Sequence, residues 1–262
     1  MNTEDIINNH YSNYDEDVRF NKDKAHRIEF LTTIKYIDKY LKPGDRILEI
    51  GAGTGAYTIH YAKQGYEVDA IELVKSNLDI LNAKATPDMK INSNQGNALN
   101  LEIYTDNTFE ITLVLGPLYH LFTMEDRQKA ISEAIRVTKP NGMIYIAYLT
   151  NDSIIANYYL RKGNIFELPE SVKDKSYRLI DSPEEVFTGF HIDEFEQLVN
   201  LPSLEKVGDV AADGISYLLR EYVDALSEDG FKIWLDYHFA TCENRDLQGY
   251  SSHMLYICKK KD

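Results

Sequence analysis

The stretch Arg46-Ile-Leu-Glu-Ile-Gly-Ala-Gly-Thr-Gly-Ala56 decides how the rest of the chain is read. Ile47, Leu48 and Ile50 form a short apolar run with the character of a buried strand. Gly51, Gly53 and Gly55 make a turn, and Tyr57 to Gln64 reads as a helix closed by Gly65. Strand, glycine turn and helix together build the nucleotide-binding corner of a doubly wound α/β sheet, where residues without side chains let a ligand lie against the backbone. A tight turn with no ligand would carry the same glycines, and the turn also fits G-x-G-x-x-A, which leaves a dinucleotide open. Glu49 weighs against the dinucleotide. A carboxylate two residues before the first glycine repels a pyrophosphate and favours a ligand with positive charge.

Downstream, strand and helix patterns alternate. Tyr66 to Ile71 is a second strand, with Glu72 at its carboxyl end, 21 residues after Gly51. At about that interval an acid meets ribose hydroxyls in nucleotide-binding sheets, because a carboxylate accepts from both of them. A helix over Ser76 to Lys84 and a strand over Met89 to Ser93 follow, then a strand over Phe109 to Leu115. A helix over Met124 to Lys139 and a strand over Met143 to Leu149 bring the alternating pattern to five strands, which predicts a parallel sheet covered on both faces.

Glu49-Ile-Gly-Ala-Gly53 fits E/D-x-G-x-G, and with Phe109-Glu110, Gly116-Pro-Leu-Tyr-His-Leu121 and Glu133 to Gly142 it resembles the motifs of class I S-adenosylmethionine-dependent methyltransferases. The likeness covers roughly residues 40–150, and the Gly116 to Leu121 stretch is similar to a small-molecule-acting subgroup. It implies a Rossmann-like doubly wound sheet of seven strands in the order 3-2-1-4-5-7-6, with strand 7 antiparallel. S-adenosylmethionine is the implied cofactor and S-adenosylhomocysteine the product, with methyl transfer by in-line displacement and no metal. On that likeness Glu49 and Gly51, Ala52, Gly53 and Gly55 meet the methionine part, and Glu72 the ribose. Leu73, Asn97 and Ala98 frame the adenine, with Asn97 standing where the family usually has an acid. Leu115, Gly116, Tyr119 and His120 lie near the reactive methyl, and His120 is the candidate base or acceptor-orienting group. Tyr11, Tyr14, Arg19 and His26 cover the cofactor from the N-terminal side, as N-terminal segments do in similar enzymes. Tyr158, Tyr159, His191 and Trp234 are candidates for an acceptor pocket.

These patterns divide the chain into an N-terminal arm and helix (1–44), a core (45–150), an inserted lid (151–190) and the last part of the sheet (191–262). A helix from Ile215 to Phe239, interrupted at Asp229-Gly230, and a last strand over Ser252 to Lys259 fall in that final part. With 28 basic against 42 acidic residues, a formal charge of −14, the chain lacks the basic footprint of a nucleic-acid partner. Cys242 and Cys258 have no metal-ligand or disulfide spacing, and no apolar run has the length of a membrane span. Met1-Asn-Thr-Glu-Asp5 lacks the pattern of a secretory signal, so the expected location is the cytoplasm and the expected acceptor a small molecule. A tRNA or protein methyltransferase, a cofactor-binding regulator without turnover, and an NAD-dependent enzyme are the rival readings. Oligomeric state is not legible in the sequence.

Overall fold

The computed structural model describes residues 3–14, 16–161, 173–182 and 186–262, the side chains of Thr3 and Tyr158 excepted. Its sheet contains β1 (Arg46–Ile50), β2 (Glu67–Glu72), β3 (Ile91–Gln95), β4 (Phe109–Val114), β5 (Thr138–Leu149), β6 (Leu204–Ala211) and β7 (His253–Lys260). Their order is β3-β2-β1-β4-β5-β7-β6, with β7 antiparallel to both neighbours, as the family resemblance implies. β1 sits between β2 and β4, pairing Ile47 with Val68 on one side and Ile111 on the other. Ile47, Leu48, Ile50, Ile111, Leu113 and Val114 are all buried, so the central strands present apolar side chains to both faces. Burial of each such side chain stabilises by roughly 1.5–3 kcal/mol, which makes this the firmest part of the fold.

Helices cover those faces. α2 (Lys24–Asp38) begins at Asp23, whose side chain accepts from the His26 N–H, and it buries Ile28 and Ile37. α3 (Ala56–Lys63) follows the glycine turn, and α4 (Lys75–Lys84) follows β2. α5 (Met124–Val137) starts at Thr123, whose side chain accepts from the Asp126 N–H. Ahead of them lies α1 (Thr3–Ser12), which the polar composition of the arm concealed.

Three boundaries differ from expectation. β3 begins two residues later than read, at Ile91. β5 starts at Thr138 because Pro140-Asn-Gly142 bulges out of the strand: register jumps from Phe109–Thr138 to Ile111–Met143, with Asn141 at φ 64°. In the C-terminal part, α8 (Arg220–Ala225) ends before Ser227, whose side chain accepts from the Gly230 N–H and starts α9 (Glu228–Thr241). Asp229 and Gly230 therefore lie inside α9, not at the break.

Between β5 and β6, α6 (Asn151–Ile154) continues into a π-helical turn over Ile155–Leu160. The returning chain is tied to the sheet: Phe190 N–H donates to the Leu149 carbonyl at 2.8 Å and Thr188 N–H to the Tyr119 carbonyl at 2.8 Å. Residues 162–172 and 183–185 of the expected lid lie outside the described residues. α7 (Ile192–Leu198), with His191 at its N-cap, leads to β6, and α10 (Arg245–Gln248) precedes β7.

Gly55 shows why the turn is glycine. It stands at φ +84°, and a Cβ there would lie 2.7 Å from Leu81 Cγ. Gly65 has a similar φ of +91° with nothing within 4 Å of that position. Gly65→Ala should therefore cost only left-handed strain, about 1–2 kcal/mol. Gly55→Ala should add an overpacking cost of about 1–3 kcal/mol. Urea midpoints of the two variants measure the difference, and equal midpoints would remove the steric argument.

Candidate cofactor and active site

At the carboxyl ends of β1, β2 and β4 the chain encloses a cavity of about 190 Å³. This is where the strand order reverses and where ligands of open α/β sheets bind. Gly51 and Ala52 donate their N–H groups to the Ile71 carbonyl, at 2.8 and 3.0 Å, which pins the glycine turn across the end of β2. Gly51 and Gly53 line the cavity and present bare backbone to it. Glu72 faces it from β2, held by the Gly53 N–H at 2.6 Å and the Val74 N–H at 2.8 Å. Burial raises the Glu72 pKa, and those two backbone donors oppose the rise. Each oxygen keeps further acceptor capacity.

Leu73, Ala98, Leu115 and Gly116 also line this cavity. So does Asn97, but its side-chain oxygen accepts from the Leu99 N–H at 2.9 Å and its amide donates to Glu4 Oε1 at 2.6 Å. Glu4 thus places a carboxylate from α1 beside the position where the resembled family carries an acid. The sequence reading missed Glu4, since 93 residues separate it from Asn97.

A second cavity, of about 430 Å³, lies outside the first. Tyr11, Glu16, Arg19 and Tyr119 line both and so mark the junction. Arg19 donates to Glu29 at 2.7 and 2.9 Å and reaches Glu16 only at 3.4 Å. Burial acts to lower its pKa, but Glu29 and Glu16 outweigh burial and keep the guanidinium charged. Behind it, His253 Nε2 sits 3.0 Å from the guanidinium and Nδ1 2.8 Å from Asp213. Glu29, Asp213 and His253 bring ligand atoms within 4.8 Å of one another, with the Arg19 guanidinium already lying against two of the three.

His120 lines the inner cavity but is doubly engaged. Nδ1 faces the Val186 carbonyl at 2.7 Å and must carry the proton there, so Nε2 accepts from the Tyr11 hydroxyl at 3.0 Å. Burial pushes its pKa down to about 4. The geometry corrects the reading of His120 as a base near neutrality: its lone pair is used, and the ring clasps α1 and residue 186 over the site. Any rate limb set by His120 should lie near pH 4, and a limb between pH 5 and 8 that vanished in His120→Asn would contradict this.

Other expected residues stand further off. Glu49 is buried against α3, accepts from the Thr58 hydroxyl and does not line the cavity; burial lifts its pKa to about 8. Ala52 and Gly55 pack inside the turn, where Gly55 faces Leu81. Tyr14 and His26 line the outer cavity, not the inner one, and His26 Nδ1 pairs with Asp23 at 2.6 Å. Tyr159 lines the outer cavity as well. His191 caps α7 and Trp234 donates to Ser216, neither in the two cavities; the Tyr158 side chain lies outside the described residues.

Residues 47–142 match the family model of a methyltransferase domain. Demethylmenaquinone methyltransferase of Renibacterium salmoninarum is 32% identical over 106 residues, 40% of this chain and 41% of that protein. Ribosomal RNA small subunit methyltransferase A of Pseudomonas syringae pv. tomato is 40% identical over 81 residues, 29% of this chain and 30% of that protein. The chain spans less than half the length of either curated relative. A solved S-adenosylmethionine-dependent methyltransferase from Methanosarcina mazei shares the fold with a TM-score of 0.58 at 19% identity, covering 86% of this chain and 97% of that one. A methyltransferase domain, the seven-strand order and an acid-lined cavity at the switch point coincide in one place: residues 47–142 carry the domain, on a fold shared with S-adenosylmethionine-dependent methyltransferases.

Proposed function

We propose that this chain transfers a methyl group from S-adenosylmethionine to a small-molecule acceptor held in the outer cavity. The observation that carries the reading is Glu72, anchored by two backbone N–H groups at the end of β2 and facing the inner cavity. The donor set fits the cofactor. Glu4, Glu16, Glu72 and Asp126 line the inner cavity, and Arg19 is already ion-paired, so the walls suit a nucleoside bearing positive charge and oppose a pyrophosphate. When bound there, S-adenosylmethionine supplies a methyl group on a positively charged sulfur.

The chain's own residues bind, orient and exclude water. Glu72 holds ribose hydroxyls, Leu73, Ala98 and Leu99 give the base apolar walls, and the bare backbone of Gly51 and Gly53 admits the amino-acid part. Tyr119 and Arg19 stand at the junction, where orientation of an acceptor provides most of the rate. α1 and residues 186–188 close the outer side through Tyr11, His120 and Thr188. We read residues 151–190 as the segment that selects the acceptor.

A nucleic-acid acceptor fits less well with a formal charge of −14. Incubation with methyl-labelled S-adenosylmethionine and a metabolite extract tests the reading. Labelled small-molecule product together with S-adenosylhomocysteine is expected, and label found only in RNA or protein would overturn it.

A further inference from the structure

The outer cavity has a chemical character of its own. Its wall is aromatic: Phe187 stands 5.3 Å from His10 and 5.1 Å from His120, ring centre to ring centre, with Tyr14 5.8 Å from His10. Leu149, Ile154 and Ile180 add aliphatic surface. Glu16 puts a carboxylate on this wall, beside the hydroxyls of Tyr14, Tyr119 and Tyr217. Among the described residues Glu16 has Arg19 as its ion-pair partner, at 3.4 Å, while Arg19 gives its short bonds to Glu29. Asn157 Oδ1, on a residue 7% exposed, has no hydrogen-bond partner among the described residues. Glu29 and Asp213 stand behind that wall, with His253 between them and Arg19 against Glu29. A Cβ on Gly53 would lie 3.6 Å from Glu16 Cγ, which sets the Glu16 side chain beside the cofactor turn.

We propose that the outer cavity takes a basic amine on an aromatic or apolar body, with its nitrogen directed to Glu16. A carboxylate held only by a long ion-pair contact calls for a ligand that donates, and an aromatic lining favours an ammonium over a carboxylate. The step balances. The ammonium gives one proton to the Glu16 carboxylate, and the freed nitrogen lone pair forms the new N–C bond. The S–C bond breaks with its electron pair going to sulfur, the methylated ammonium leaves, and Glu16 returns its proton to solvent. Burial raises the Glu16 pKa, which narrows the gap to the amine.

The inference rests on the methyl-transfer reading, so its test separates the two. S-adenosylhomocysteine is titrated first; failure to bind counts against the methyl-transfer reading itself. In its saturating presence, tryptamine, tryptophol and indole-3-propionate, one body with three end groups, are then titrated calorimetrically. Tryptamine should bind roughly tenfold or more tighter than indole-3-propionate and several-fold tighter than tryptophol. Glu16→Gln, near-isosteric and checked by thermal melting, should reduce the amine preference to about threefold or less. Phe187→Ala should weaken all three ligands. With S-adenosylhomocysteine bound, no affinity for tryptamine, an equal or tighter carboxylate, or a Glu16→Gln variant with its preference intact would each overturn the amine assignment alone.

Discussion

Glu72→Ala is expected to weaken S-adenosylmethionine binding by roughly ten- to a hundredfold, the loss of a charge-assisted acceptor of about 1.5–3 kcal/mol. The carboxylate is 5% exposed, and both oxygens are fixed by the Gly53 and Val74 N–H groups, so its acceptor sites are pre-aimed into the cavity. Removing it takes away the ribose acceptors and also loosens the glycine turn. Glu72→Gln retains one carbonyl oxygen and should fall between wild type and Glu72→Ala. Calorimetry measures the affinities, and thermal melting separates binding loss from unfolding. Unchanged affinity in a folded Glu72→Ala protein would remove Glu72 from the cofactor site.

The second large effect concerns stability. Burial lifts the Glu49 pKa to about 8, partly opposed by the Thr58 hydroxyl and N–H. Its folded pKa lies above the unfolded value of 4.5, so the folded state holds the proton more tightly between those limits. This contribution is fully present below pH 4.5 and is lost as pH rises to about 8. The difference, 8 minus 4.5, is about 3.5 pH units, or on the order of 5 kcal/mol at 1.36 kcal/mol each. Glu49→Gln removes the ionisation while keeping an acceptor for Thr58. The variant should track wild type near pH 4 and exceed it by up to about 5 kcal/mol above pH 8, read from urea unfolding at each pH. A constant offset across that range would show that Glu49 ionises freely.

The core of the candidate site was legible because its signals are local. Strand, glycine turn and helix follow within one stretch, and Glu72 lies at a fixed interval from Gly51, so counting residues was enough. Counting did not reveal which way Glu49 faces. Its carboxylate turns to Thr58 under α3, although it stands only two residues before Gly51. The covering residues were harder still. Tyr11 meets His120 across 109 residues, and Arg19 meets His253 across 234; no periodicity within either segment carries such a contact. Glu16 and Glu4 read as ordinary surface acids of a polar arm, and only the docking of that arm makes them cavity walls. The break before α9 was misplaced because glycine outweighed Ser227, whose capping side chain ends the question three residues earlier.

Competition between two nucleosides tests the central claim most directly: S-adenosylmethionine and NAD titrated separately, then together, into the purified protein. The cavity geometry predicts saturable binding of S-adenosylmethionine that NAD does not displace, because Glu4, Glu16, Glu72 and Asp126 repel a pyrophosphate. Saturable NAD binding that excludes S-adenosylmethionine would contradict the account.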